Sequence, residues 1–115
     1  MVESYNLEVK EDEKNCYGIR FSIEENNREI GRAYLYMMRN DLHSRPFGLM
    51  EDVFVDESCR GKGIGTKLVK QIVEKAKKMK CYKLIATSRY SRPKVHKLYE
   101  KLGFENWGKE FRINF

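Results

Sequence analysis

The chain has 115 residues, 23 of them Lys or Arg and 17 Asp or Glu, for a formal net charge of +6. That length fits one domain with a core that needs no staples. At 41% apolar and 12% aromatic the composition argues against a mainly disordered chain, and its longest apolar stretch, residues 33–38, is far below the ~20 residues of a membrane helix.

The first ten residues carry Glu3 and Glu8 and no apolar core, so a secretory leader is not expected. Cysteines stand at 16, 59 and 81, an odd number without CxxC spacing. A disulfide framework and a zinc site are disfavoured, and a reducing, cytoplasmic setting is expected. The basic excess suits a polyanion, either nucleic acid or a phosphate-rich cofactor.

Residues 5–9 (YNLEV) alternate roughly and predict a first strand. Residues 17–23 place Tyr17, Ile19, Phe21 and Ile23 on one face with a period of two. Asn26 and Asn27 form a polar turn before 29–38, which predicts a hairpin. Residues 41–48 hold Pro46 and Gly48 and predict a loop; 49–55 (LMEDVFV) predict another strand. The period then changes. Ile64, Leu68, Val69, Ile72, Val73 and Ala76 trace one helical stripe, with lysines on the other face and in the last turn. Residues 83–87 (KLIAT) predict a short strand. Residues 93–102 predict a second helix with Val95, Leu98, Tyr99 and Leu102 on one face. Ser91 suits its cap, Pro93 its first turn and Gly103 a left-handed end, after which Phe104 folds back near Tyr99. Trp107 and residues 111–115 (FRINF) predict one or two closing strands. The order β-β-β-β-α-β-α-β gives an α+β (mixed α/β) domain over 1–115, with no linker and no repeat.

The informative segment is 53–67, VFVDESCRGKGIGTK, in which a strand enters a loop and the loop enters a helix. Glycines at 61, 63 and 65 leave backbone N–H groups unshielded and permit unusual φ/ψ values. The helix start behind them has unpaired N–H groups and a positive dipole end. Together they make an anion cradle suited to phosphate or pyrophosphate, with Arg60 and Lys62 at its mouth. A Walker A loop needs Gly-Lys-Ser/Thr, whereas the order here is Gly65-Thr66-Lys67. A Rossmann fingerprint needs GxGxxG and an acid closing the next strand, whereas that strand closes on Thr87-Ser88-Arg89.

The segment resembles the acyl-CoA loop of the GNAT superfamily of N-acetyltransferases, Arg/Gln-x-x-Gly-x-Gly/Ala, through Arg60, Gly63 and Gly65. Residues 98–104 (LYEKLGF) resemble the family's second signature, at matching spacing. The segments LMEDVFV and CYKL are also similar to those of the glucosamine-6-phosphate N-acetyltransferase branch. The resemblance covers residues 49 to about 107 well, and the earlier strands only in their order.

The resemblance implies a central mixed, mostly antiparallel sheet flanked by helices. It implies acetyl-CoA as co-substrate, no metal, and direct acetyl transfer to a primary amine in a ternary complex. Backbone groups of Val53, Phe54 and Val55 would bind the pantetheine arm. The backbone N–H groups of Arg60, Gly61, Lys62, Gly63, Ile64 and Gly65, with Thr66, would hold the pyrophosphate. Arg92 stands where many members have an Asn that contacts the arm. Tyr99 falls on the Tyr that many members place near the CoA sulfur.

In such a reaction a neutral amine attacks the thioester, so no enzyme nucleophile is needed. The cysteines are not required, and Cys59 is read as a packing residue. Tyr99 is the candidate acid toward the thiolate, although its place on the apolar stripe also suits plain packing. Glu51 is the candidate base, directly or through water, and a rim carboxylate is its ordinary alternative. The oxyanion donor is expected to be a backbone N–H near Val53. On a regular strand Asp52 points to the opposite face from Glu51, and a bulge would change that parity. His43, beside Ser44 and Arg45, suits acceptor binding; His96 reads as an exposed helix residue. The lysines at 75–80 are explained by the helix end.

One departure stands out. The family usually places two helices between its first and second strands, helping to wall the acceptor site. Only residues 10–16 (KEDEKNC) separate the two candidate strands here. The acceptor site is therefore expected to be open. That suits a protein N-terminus, a lysine, a polyamine, or a site completed by a second subunit in a homodimer. The +6 charge favours an anionic acceptor such as a sugar phosphate. Two alternatives remain: a CoA-binding regulatory module with weak catalysis, and a basic nucleic-acid-binding domain.

Overall fold

Alternating sequence becomes strand three times in succession: β1 (Tyr17–Glu25), β2 (Arg28–Met38) and β3 (Phe47–Val55). The computed structural model describes residues 7–115. β1 and β2 pair antiparallel, and Glu25 opposite Arg28 closes a two-residue turn. Asn26 and Asn27 sit there at φ of 54° and 61°, the left-handed geometry that matches the twist of a hairpin. β3 pairs antiparallel with β2.

The change of period after Gly63 produces α1 (Ile64–Lys78), a crossover that returns the chain to β4 (Leu84–Ala86), parallel to β3. The sheet order is β1-β2-β3-β4. α2 (Pro93–Lys101) follows. The core consists of Ala33, Leu35, Met37 and Met50 from the sheet, covered by Leu68, Val69 and Ile72 of α1. Phe21, Ile23, Val53, Tyr99, Leu102 and Phe104 pack around it. The opposite sheet face carries Arg20, Tyr34, Tyr36, Leu49, Glu51 and Ile85, and it is open at Tyr36, Phe54 and Ile85.

Three expectations are corrected. Of the predicted strand at 5–9, Tyr5 and Asn6 lie outside the described residues, while Leu7, Glu8 and Val9 are exposed and not in a strand. The predicted closing strands are absent from the described fold: residues 104–115 form no strand, and Trp107, Phe111, Ile113 and Phe115 are exposed. Alternation supplies a face but not a partner, and strands are stabilised by cross-strand pairs. The capping residue of α2 is Arg92 rather than Ser91, and no side chain caps that end.

Candidate functional site

β3 extends well past its neighbour. β4 pairs with it only over Gly48, Leu49 and Met50. Among the described residues, Glu51 to Val55 has no strand partner on that side, so the edge there is open. On its other side the ladder to β2 shifts: Tyr34 faces Glu51 and Arg32 faces Phe54, leaving Asp52 and Val53 opposite Ala33. Asp52 takes a φ of 50°. This is a β-bulge, and it changes the parity of the strand. Met50 and Val53 both pack toward the core, Glu51 stays on the open face, and Asp52 is released to solvent.

The loop after β3 is tied down at its base. The Asp56 N–H donates to the Ile30 carbonyl (2.8 Å), and the Cys59 N–H donates to the Asp56 carbonyl (2.9 Å). Ser58 Oγ donates to the Asp56 carboxylate, while Arg28 Nη2 lies 3.5 Å from Asp56 Oδ2 and 3.4 Å from Ser58 Oγ. The Ser58 hydrogen bond, helped by Arg28, holds the Asp56 carboxyl below its ordinary range. Cys59 is buried beneath the loop, as a packing residue should be.

Arg60 differs from its expected role. Its N–H donates to the Glu57 carbonyl (3.4 Å), and its Nε donates to the Val55 carbonyl (3.1 Å). It ties the loop to the strand end, so the free amides of the cradle begin at Gly61. The Val55 carbonyl is correspondingly occupied.

Gly61 and Gly63 adopt φ of 83° and 80°, where an L-side chain is strained. Nothing lies within 4 Å of a Cβ built on either, so the space in front of the loop is open. Gly63 is the cap of α1, without a side-chain cap hydrogen bond and without an acidic residue in the first turn. The N–H groups of the first turn, including Ile64, Gly65 and Thr66, thus form an uncompensated positive dipole end. Lys62 is exposed beside them. This geometry can hold an anion against the backbone.

Tyr99 is carried by α2 and packs against the core. The helix ends in a full Schellman motif: the Phe104 N–H donates to the Tyr99 carbonyl and the Gly103 N–H to the Glu100 carbonyl, both at 3.0 Å. Gly103 has φ of 104°. Burial pushes the Tyr99 phenol up; Arg92 opposes the shift and the Glu51 carboxylate adds to it. Glu51 and Arg92, from separate parts of the sequence, therefore both act electrostatically on Tyr99.

His43 stacks on Tyr82, with ring centroids 4.2 Å apart, away from the glycine loop. His96 is partly buried rather than exposed, its Nε2 lying 2.8 Å from the Arg89 carbonyl. The Arg28–Asp56–Ser58 link was not legible in the sequence. Asp-x-Ser after a strand signals a local turn, but nothing in the spacing points to Arg28. No cluster of metal-binding side chains occurs among the described residues.

The chain matches the Acetyltransferase (GNAT) family over residues 2–104. It is 34% identical over 95 residues to a Trypanosoma brucei brucei protein named glucosamine 6-phosphate N-acetyltransferase, covering 82% of this chain and 63% of that one. It is 40% identical over 57 residues to glucosamine 6-phosphate N-acetyltransferase 1 of Oryza sativa subsp. japonica, covering 50% of this chain and 33% of that one. The chain thus spans less than two thirds of the length of either curated relative. Its fold superposes on the crystal structure of glucosamine-6-phosphate N-acetyltransferase from Arabidopsis thaliana with a TM-score of 0.77 and 30% identity, covering 85% of this chain and 67% of that one. On this evidence the chain belongs to the GNAT acetyltransferase family.

Proposed function

We propose that this chain is an acetyl-CoA-dependent N-acetyltransferase acting on a primary amine, with 1–115 as one catalytic domain. One observation carries the reading. The uncapped start of α1, fronted by two left-handed glycines, lies at the end of a strand whose edge is open from Glu51 to Val55. An extended thioester with a pyrophosphate at one end fits a backbone edge that leads into a backbone anion cradle. The open space at Gly61 and Gly63 is what a pyrophosphate needs.

Acetyl-CoA, when bound, supplies an activated acyl carbon and a thiolate leaving group. The free amides from Gly61 to Gly65, with Thr66, hold the pyrophosphate. Val53 and Phe54 offer backbone groups to the pantetheine arm, and Arg92 lines the approach. Glu51, on the open sheet face, takes the amine proton directly or through a water. The oxyanion is met by a backbone N–H near Val53, at the bulge. The Tyr99 phenol, kept protonated by burial, hands its proton to the departing sulfur.

The names of the relatives support a sugar-phosphate amine as acceptor, in line with the +6 charge. The reading includes a cytoplasmic setting, supported by free Cys16, Cys59 and Cys81. It also includes a homodimer in which a second copy walls the open face. Among the described residues no helix is long and apolar enough to cross a membrane.

The test is calorimetric titration with acetyl-CoA, then release of free thiol with glucosamine 6-phosphate and a panel of amines. Binding that is lost in Gly63→Trp, with turnover on an amine, supports the reading. Binding without turnover on any amine would make the chain a CoA-binding module. Salt-dependent RNA binding that CoA does not compete would favour the nucleic-acid alternative.

A further inference from the structure

The glycine loop offers backbone donors, and a backbone N–H cannot swing toward a ligand as a long side chain can. Its aim depends on whatever holds the loop and the first turn of α1 in place. Both rest on one short stretch, residues 28–31, where β2 begins after the hairpin turn. Gly31 there pairs with Val55, the last residue of β3 before the loop.

Three contacts make the support. The first is backbone: the Asp56 N–H donates to the Ile30 carbonyl at 2.8 Å, tying the corner between strand and loop to β2. The second is a side-chain link. Arg28 Nη2 lies 3.4 Å from Ser58 Oγ and 3.5 Å from Asp56 Oδ2, and Ser58 itself donates to Asp56. One guanidinium thus grips both side chains of the turn that leads into the cradle. The third is steric. Gly31 is buried, and a Cβ on it would stand 2.8 Å from Ile64 Cγ2, 3.2 Å from Leu68 Cδ1 and 3.4 Å from the Phe54 carbonyl oxygen. Ile64 opens α1, and its N–H is one of the cradle amides. Leu68 can move the tip of its side chain. Ile64 cannot yield in the same way, because Cγ2 branches from Cβ and χ1 of such a residue is stiff in a helix. The missing side chain at position 31 therefore lets the first turn of α1 close down on the sheet.

We propose that Arg28 and Gly31 are positioning residues for the anion cradle. They act through Asp56, Ser58 and Ile64, and they set where the loop amides point and so how tightly a pyrophosphate is held. Neither residue lies in the loop it supports. The Arg28 side chain is 62% exposed, and an exposed ion pair adds little to fold stability. The signature of Arg28 therefore belongs in ligand affinity and not in the melting temperature. The identity of the ligand as acetyl-CoA rests on the acetyl-transfer reading; the support of an anion cradle by β2 does not.

The experiment titrates each protein with acetyl-CoA, and with inorganic pyrophosphate as a probe of the cradle alone, and records its thermal melt. The proteins are wild type, Arg28→Met, Asp56→Ala, the Arg28→Met/Asp56→Ala double variant, Gly31→Ala, Ile64→Ala and Gly31→Ala/Ile64→Ala. Arg28→Met and Asp56→Ala should each weaken both ligands about fivefold, and the double variant should bind no more weakly than the worse single, because both substitutions break one link. Gly31→Ala should weaken both ligands about tenfold through the displaced first turn. Ile64→Ala removes the clashing Cγ2, so combining it with Gly31→Ala should restore part of that affinity even though the melt falls. A merely structural role would make the double variant the weaker binder. Unchanged affinity in Arg28→Met and Gly31→Ala, or losses that multiply in the Arg28→Met/Asp56→Ala variant, would overturn the proposal. If Gly31→Ala fails to fold, the Arg28 and Asp56 variants decide. If wild type binds pyrophosphate but not acetyl-CoA, the transfer reading falls and the positioning is judged on pyrophosphate. Binding of neither ligand would mean that there is no cradle to position, and both would fall.

Discussion

The ring of Phe104 packs on the ring of Tyr99, centroid to centroid 5.3 Å, while the Phe104 N–H bonds the Tyr99 carbonyl. A helix terminator therefore also fixes the candidate acid. The motif needs a left-handed residue between the two, which Gly103 supplies at φ of 104°. Tyr99→Phe keeps the ring and removes only the hydroxyl. Turnover should fall by about a hundredfold or more, the usual scale of a general acid, with acetyl-CoA affinity retained. Gly103→Ala should cost about 1 kcal/mol of stability, read by thermal melting, because the added Cβ strains the backbone even where space is open. Unchanged turnover in Tyr99→Phe would reduce Tyr99 to a packing residue.

The phenol also makes an alkaline prediction. Burial first, and the Glu51 charge next among the raising effects, lift its folded pKa above the ordinary 10.0. The folded state then holds this proton more tightly than the unfolded state. The stability it contributes is complete below pH 10 and is lost as pH rises through the folded value. Wild type should lose more stability above pH 10 than Tyr99→Phe does. Glu51→Gln removes a raising charge, so the phenolate absorbance of Tyr99 should appear at lower pH in that variant. Identical titration curves in wild type and Glu51→Gln would show that the two groups are too far apart to cooperate.

Much of this could be read from the residues because local rules and tertiary packing agree. Ile64 to Ala76 had to bury one stripe, and it does so on β2 and β3. Gly103 and Phe104 announced a Schellman end, and it forms in full. What failed needed a partner that sequence does not name. Phe111, Ile113 and Phe115 alternate as a strand would, yet no strand pairs with them among the described residues. The open edge at Glu51 to Val55 follows from the shortness of β4, and KLIAT alone does not say that only Leu84 to Ala86 pair. Arg60 keeps its charge beside the cradle, but nothing in the spacing says that its Nε bonds the Val55 carbonyl.

The base of the loop should titrate in acid. The Ser58 hydroxyl and Arg28 depress the Asp56 pKa below 3.8. The stability this carboxylate contributes is present above 3.8 and lost as pH falls through the folded value. Asp56→Asn should flatten that part of the acid unfolding curve. If the link positions the cradle, Asp56→Asn and Arg28→Met should each raise the KM for acetyl-CoA several-fold and leave kcat nearly unchanged. Arg28→Lys should rescue part of the loss. A fall in kcat at constant KM would place the effect in the chemistry rather than in cofactor binding.

Gly63 and Gly65 separate backbone strain from anion binding. At Gly63 a Cβ meets open space but the backbone sits at φ of 80°, so Gly63→Ala should cost about 1 kcal/mol through conformation alone. Gly65 lies inside α1 at an ordinary φ, and its Cβ would meet Val55 Cγ2 at 3.5 Å, a normal contact. Gly65→Ala should therefore be neutral or stabilising, by up to about 1 kcal/mol of helix propensity. Yet its methyl would stand beside the amides that hold the pyrophosphate, so acetyl-CoA affinity should fall. Thermal melting and acetyl-CoA titration on the same samples read the two effects apart. A Gly65→Ala protein that melts higher and binds acetyl-CoA as tightly as wild type would mean that the helix start is not the pyrophosphate seat.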